Sequence, residues 1–151
     1  MSDRVHLYDL IKESFLLLDF GDRLFLERYN LTVPRYYALT HIAGEPGLSP
    51  SQLSQCMFCD KSNITRLIRG LQSDGLVERR PHEYDGRSHR LFLTPVGEAL
   101  LREAAEAHQH YVNERLRILE ECQAGEVTDV LAHLNAHLSR ELGSEPILSF
   151  N

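Results

Sequence analysis

The chain has 151 residues, 42% of them hydrophobic and 25% charged, which is one domain's worth of ordinary globular sequence. No apolar run approaches the ~20 residues that a membrane-spanning helix needs, and the opening MSDRVHLYDL lacks the apolar stretch of a secretion signal. Three cysteines, an odd number, do not make a disulfide framework, so a reducing, cytoplasmic setting is the expectation. A net charge of −6 speaks at first against nucleic acid, whose phosphates demand cations. The distribution reverses that impression. Residues 33–94 hold eight Lys/Arg against six Asp/Glu, and the rest of the chain holds eight against sixteen. A basic centre between acidic ends fits a phosphate-facing module on a scaffold that touches no phosphate.

Residues 4–29 read as a long helix, with Leu7, Leu10, Ile11, Leu17, Leu18, Leu24 and Phe25 mostly at three- and four-residue spacing. Thr32-Val33-Pro34 starts a second helix over residues 35–43, which Gly44-Glu45-Pro46-Gly47 ends. Ser49-Pro50-Ser51-Gln52 is a capping box that opens a short third helix closing near Met57. Asp60 caps a fourth over residues 61–73, with Gly75 as its left-handed terminator. Residues 76–80 and 90–93 read as two strands of a hairpin, with Asp85-Gly86 marking the turn between them. Thr94 and Pro95 start a fifth helix expected to run to about Glu121, and Gln123-Ala124-Gly125 is the expected joint to a sixth over residues 126–142. From Gly143 onward a tail is expected. The fold class is therefore mainly α with a small β-hairpin wing: a winged helix-turn-helix lobe over residues 33–94 in a single domain. Residues 4–29 and 95–142 are the expected dimerisation scaffold, because the long fifth helix overshoots so small a domain and needs a partner to bury its apolar stripe.

The order short helix, turn, helix, hairpin is one in which the second helix enters the DNA major groove and the hairpin loop reaches the flanking backbone or minor groove. On that second helix Lys61, Ser62, Asn63, Thr65, Arg66 and Arg69 are donor-rich, while Ile64, Leu67, Ile68 and Leu71 form the buried stripe. Arg and Asn pair bidentately with guanine and adenine edges, and Ser, Thr and Lys hold phosphates. Arg87 sits at the hairpin tip, flanked by Asp85, Ser88 and His89. An Arg on a thin loop suits the narrow minor groove. Arg90 joins the candidate DNA contacts, although Arg79, Arg80 and Arg90 could equally pair with Glu78, Glu83 or Asp85 inside the hairpin.

These residues resemble the MarR family of winged-helix regulators. The resemblance rests on Gln52-Leu53-Ser54, on Asp60 through Ile68, on Asp74-Gly75-Leu76-Val77-Glu78-Arg79, and on the stretch from Asp85-Gly86-Arg87 to Leu91-Phe92-Leu93-Thr94-Pro95-Val96-Gly97. It implies a homodimer on a pseudo-palindromic operator in double-stranded DNA, acting as a repressor and released by a small molecule, oxidation or metal. It also implies that Asp85 supports the wing while Arg87 touches DNA. One departure is Gly86, where the family often has a second Arg.

The signal is less legible than the fold. Cys56-x-x-Cys59 reads as a redox pair or as packing, with Cys59 at a core position and Cys56 the more exposed thiol. His133 and His137 are four apart and His108 and His110 two apart, a weak case for metal, so neither metal nor cofactor is expected. A small aromatic or acidic effector is the favoured signal, in a pocket walled by Phe15, Tyr36, Tyr37 and His41. The plainer account of Phe15, Phe20 and Tyr37 is core packing. No catalytic constellation stands out, so the chain is not read as an enzyme. The alternatives are a thiol- or metal-responsive regulator of the same fold, or a winged-helix protein-interaction module, whose second helix would lack Arg66 and Arg69.

Overall fold

Side-chain caps set most of the element boundaries in the computed structural model, which describes residues 3–143. Helix α1 spans Asp3–Leu26 and ends in a 3-10 turn at Glu27–Tyr29, with Asn30 in the left-handed region at φ 53°. Helix α2 (Val33–Gly44) starts where the Thr32 hydroxyl accepts the Arg35 N–H. Helix α3 (Pro50–Cys56) starts on the reciprocal Ser49–Gln52 box, with bonds of 3.1 and 2.9 Å. Asp60 opens α4 (Lys61–Ser73). Strands β1 (Val77–Pro81) and β2 (His89–Leu93) pair antiparallel, with Val77 opposite Leu93 and Pro81 opposite His89. Leu48 adds a bridge to Leu91, which the sequence did not suggest.

The core lies where α2, α3, α4 and the hairpin meet. Leu26, Leu39, Ile42, Leu48, Leu53, Ile64, Ile68, Leu71 and Leu91 are completely enclosed. Each such side chain contributes about 1.5–3 kcal/mol of burial. Of the stripe expected on α4, Ile64, Ile68 and Leu71 are buried, whereas Leu67 is only half-buried at the edge. Arg35 at the start of α2 forms an ion pair with Asp74 just past α4, tying the two ends together.

The Thr94 hydroxyl accepts the Gly97 N–H, opening α5, and donates to the Gly75 carbonyl. This crossing holds the wing's last strand against the end of α4. It leaves no room at residue 97: a Cβ there would lie 2.1 Å from the Leu76 carbonyl oxygen.

The expected course of the last two helices needs correction. Helix α5 is Pro95–Leu116 and α6 is Glu121–Glu141, so the joint falls at residues 117–120, not at Gln123-Ala124-Gly125. The cause is a cap without Ser or Thr: the Gln123 side chain accepts the Glu120 N–H at 3.1 Å. Gly125 then lies inside the helix in open space. No residue of α6 is buried, and Leu7, Leu10, Phe15, Leu16, Leu17, Phe20 and Leu24 of α1 are exposed.

A candidate DNA interface and the cavity beneath it

Helix α4 begins on a compact polar knot. Asp60 Oδ1 accepts the Asn63 backbone N–H at 2.8 Å and the Ser62 hydroxyl at 2.7 Å, while Oδ2 accepts from Asn63 Nδ2 at 2.7 Å. Those donors, the Asn63 N–H first and the Ser62 hydroxyl next, hold the Asp60 carboxyl below its usual range. Asn63 Oδ1 in turn accepts from Arg66 at 2.7 Å, and the Thr65 hydroxyl is turned back onto the Lys61 carbonyl at 2.8 Å. Ser62, Asn63 and Arg66 are thus linked through one carboxylate at the helix start, while Lys61 and Arg69 stand free of it.

Lys61, Arg66, Arg69 and, at the wing tip, Arg87 are all exposed. Among the described residues none of the four has a carboxylate within ion-pair distance. The strand cations differ. Arg80 pairs with Glu78 and lies over the Phe92 ring, and Arg90, half-buried, meets His82 Nε2 at 2.8 Å. Arg90 therefore stands apart from the other candidate contacts.

Asp85 shapes the wing through backbone groups. Its Oδ1 accepts the Arg87 N–H at 3.0 Å, and its carbonyl accepts the Ser88 N–H at 3.1 Å and the Ser88 hydroxyl at 3.3 Å. The loop is closed by this aspartate turn, with no guanidinium on the carboxylate among the described residues. Ser88 is spent in that turn.

Behind α4 lies a cavity of about 1100 Å³ bounded by α1, α2, the α3–α4 turn, α4 and α5. Its walls include Phe15, Tyr37 and His41 from the expected pocket, together with Phe58, Arg66 and Arg115. Tyr36 requires correction: it is buried in the core, 6% exposed, behind the cavity. Tyr36 and Tyr37 are neighbours about 100° apart on the helix, and the one that packs against Phe25's neighbour His108 faces inward. Phe15 and Phe20 are the reverse case. Expected in the core on the plainer account, they are 58% and 52% exposed because the chain offers α1 no second layer there.

Sequence reasoning missed His108 as a structural centre, since on an amphipathic helix it resembled only a stray metal ligand. It is buried on α5, its Nε2 3.0 Å from Asp22 Oδ1 on α1, among Phe25, Tyr36 and Tyr111. Burial first, then the Asp22 charge, pushes the Tyr37 hydroxyl up to about 12, so it remains a proton donor. Burial holds His41 below the usual imidazole range, in its neutral form. Burial and the nearby Glu45 push the Cys56 thiol up, away from the reactive thiolate. Cys59 is half-buried and packs on the core. Among the described residues no three His, Cys, Asp or Glu side chains gather as a metal-holding group.

A short helix, a tight turn, a second helix with an exposed cationic face and a hairpin wing define a winged helix-turn-helix. Residues 29–88 match the model for the MarR family. The chain is 28% identical over 133 residues to the HTH-type transcriptional regulator BilQ of Clostridium symbiosum, covering 85% of this chain and 90% of that one. It is 35% identical over 88 residues to the regulator PetP of Rhodobacter capsulatus, spanning 58% of this chain and 52% of PetP. The crystal structure of the transcriptional regulator BldR from Sulfolobus solfataricus superposes with a TM-score of 0.78 at 29% identity, over 91% of this chain and 96% of that one. A MarR variant from E. coli complexed with operator DNA shares the fold, with a TM-score of 0.80 at 22% identity over 87% and 95% of the two chains. Residues 29–88 are thus a winged helix-turn-helix of the MarR type, and the chain as a whole has the fold of solved MarR regulators.

Proposed function

We propose that the chain is a repressor that binds a pseudo-palindromic operator as a homodimer and is released by a small effector. Helix α4 enters the major groove, with Asn63 and Arg66 at base edges and Lys61, Ser62, Thr65 and Arg69 toward the backbone. Arg87 reaches the minor groove from the wing, with Ser88 and Arg90 behind it and Asp85 holding the loop. The observation that carries this reading is the set of exposed, unneutralised cations on α4 and the wing tip in a chain whose net charge is −6. Exposed cations left without a carboxylate are what a phosphate-facing surface requires, whereas on the strands Arg80 is spent on Glu78. Arg66 uses one of its five donors on Asn63, so it can reach a base without giving up that support.

Residues 33–94 are the reader and α1, α5 and α6 the dimer scaffold. An isolated helix of 21 residues with no buried face gains little stability in water, and a partner's α1 and α6 supply the missing layer. The operator-DNA complex of the E. coli MarR variant, which shares this fold, adds support for double-stranded DNA as the partner.

The effector is a small aromatic acid in the cavity. Most of the lining is apolar; its Asp19 and Arg35 form ion pairs with Arg23 and Asp74, and its Asp22 is spent on a 3.0 Å contact with His108. Arg66 and Arg115 remain without a carboxylate among the described residues, which favours an anionic guest. A mobility shift with DNA upstream of the gene tests the main reading. Binding is expected to weaken by about 10³ between 50 and 200 mM salt if some six phosphates are contacted. Absence of salt-sensitive binding would contradict it.

A further inference from the structure

The tight turn between α3 and α4 contains Phe58 at φ 48°, in the left-handed region. A bulky side chain is rare there, because its Cβ crowds the backbone, and glycine or asparagine is the usual occupant. The turn is nonetheless pinned on both sides. Phe58 N–H donates to the Gln55 carbonyl, Cys59 N–H donates to the Ser54 carbonyl at 3.1 Å, and the Ser54 hydroxyl donates to the Cys59 carbonyl at 2.5 Å. The ring gains no core burial in return, being 68% exposed. Two unfavourable features thus meet in one residue, strain in the backbone and an aromatic surface left in water. Strain of this kind persists where the residue serves a contact.

Phe58 lines the cavity behind α4, together with Met57, Cys59 and Leu67. We propose that Phe58 is the aromatic contact that closes this cavity over a planar aromatic guest, and that it couples occupancy to the recognition helix in the same subunit. The coupling is short. Phe58 lies two residues before Asp60, whose carboxylate holds Ser62 and Asn63, and Asn63 holds Arg66. Both Asn63 and Arg66 line the same cavity. A guest drawn against Phe58 therefore acts on the knot that orients the groove-facing side chains. The inference rests on the cavity being the effector site.

The test uses the full chain and naphthalene carboxylate, an aromatic monoanion, titrated by fluorescence without DNA. The wild-type protein is expected to bind it saturably. Phe58→Gly and Phe58→Asn, which remove the ring and suit the left-handed backbone, should each weaken binding about tenfold while Tm holds or rises by about 2–4 °C. Operator affinity measured without naphthalene carboxylate should stay within about twofold. A residue that merely supported the fold would lose binding and Tm together, and that pattern overturns the proposal. So does unchanged probe affinity, or failure of the wild type to bind the probe. Loss of operator affinity with probe binding intact also overturns it and places Phe58 at the DNA. Probe binding that depends on Phe58 in a protein with no operator affinity supports the contact and contradicts the regulator reading instead.

Discussion

On the proposed reading Arg66 meets a base edge in the major groove and Arg87 the minor groove, and their substitutions separate the two contacts. Arg66→Ala should cost about 1–3 kcal/mol of operator affinity and relax discrimination at one base pair, seen by titrating a panel of single-base operator variants. Arg87→Ala should weaken all sequences alike and lower the salt slope by about 1. Were Arg87→Ala silent at moderate salt, the wing assignment would be wrong. Gly97 is a purely steric position. A methyl group 2.1 Å from a backbone carbonyl forces strand and helix apart, so Gly97→Ala should lose about 3 kcal/mol in urea unfolding. At this scale the sequence disclosed what local chemistry specifies. Thr32, Ser49, Asp60 and Thr94 were readable as caps because each bonds within three residues. It concealed what depends on distant partners: that Tyr36 faces the core, that His108 meets Asp22, and that a phenylalanine holds a left-handed turn.

The elements respond to pH and to helix propensity in ways that check their boundaries. The folded Asp60 carboxyl titrates below its ordinary value, so its cap stabilises α4 above about pH 4 and that contribution is lost as pH falls through the lowered folded value. Asp60→Ala should accordingly lower Tm near neutral pH, with the gap to the wild type closing in acid. Gly125 tests the corrected joint. Inside α6 and facing open space, it should accept alanine with a gain of about 0.5–1 kcal/mol, whereas a glycine serving as the joint would lose stability on the same change. The sequence misplaced this boundary because Gly125 and its neighbours look like a breaker, while the Glu120–Gln123 cap lacks the usual hydroxyl or carboxamide starter.

On the scale of the whole molecule, the chain divides its labour by charge and by exposure. Residues 33–94 carry a small excess of cations, the rest of the chain an excess of acids, and α1 and α6 many of the unburied apolar side chains. The helix order and the winged helix-turn-helix were legible because period, caps and the wing motif agree with one another. The exposed faces of α1 and α6 were legible only as stripes, since what a stripe packs against is a property of the assembly. Replacing Leu17 and Val130, exposed on α1 and α6, with aspartate should turn a sedimenting dimer into a monomer. The same double variant should lose operator binding while retaining the winged lobe's helical signal.

Selection from a pool of random DNA duplexes tests the central claim most directly, because it presumes no operator. The account predicts enrichment of an inverted repeat whose half-sites are centred about 10–10.5 base pairs apart, or a whole multiple of a turn, matching two α4 helices across a two-fold axis. Recovery of no enriched sequence, or of one without repeat symmetry, would contradict it.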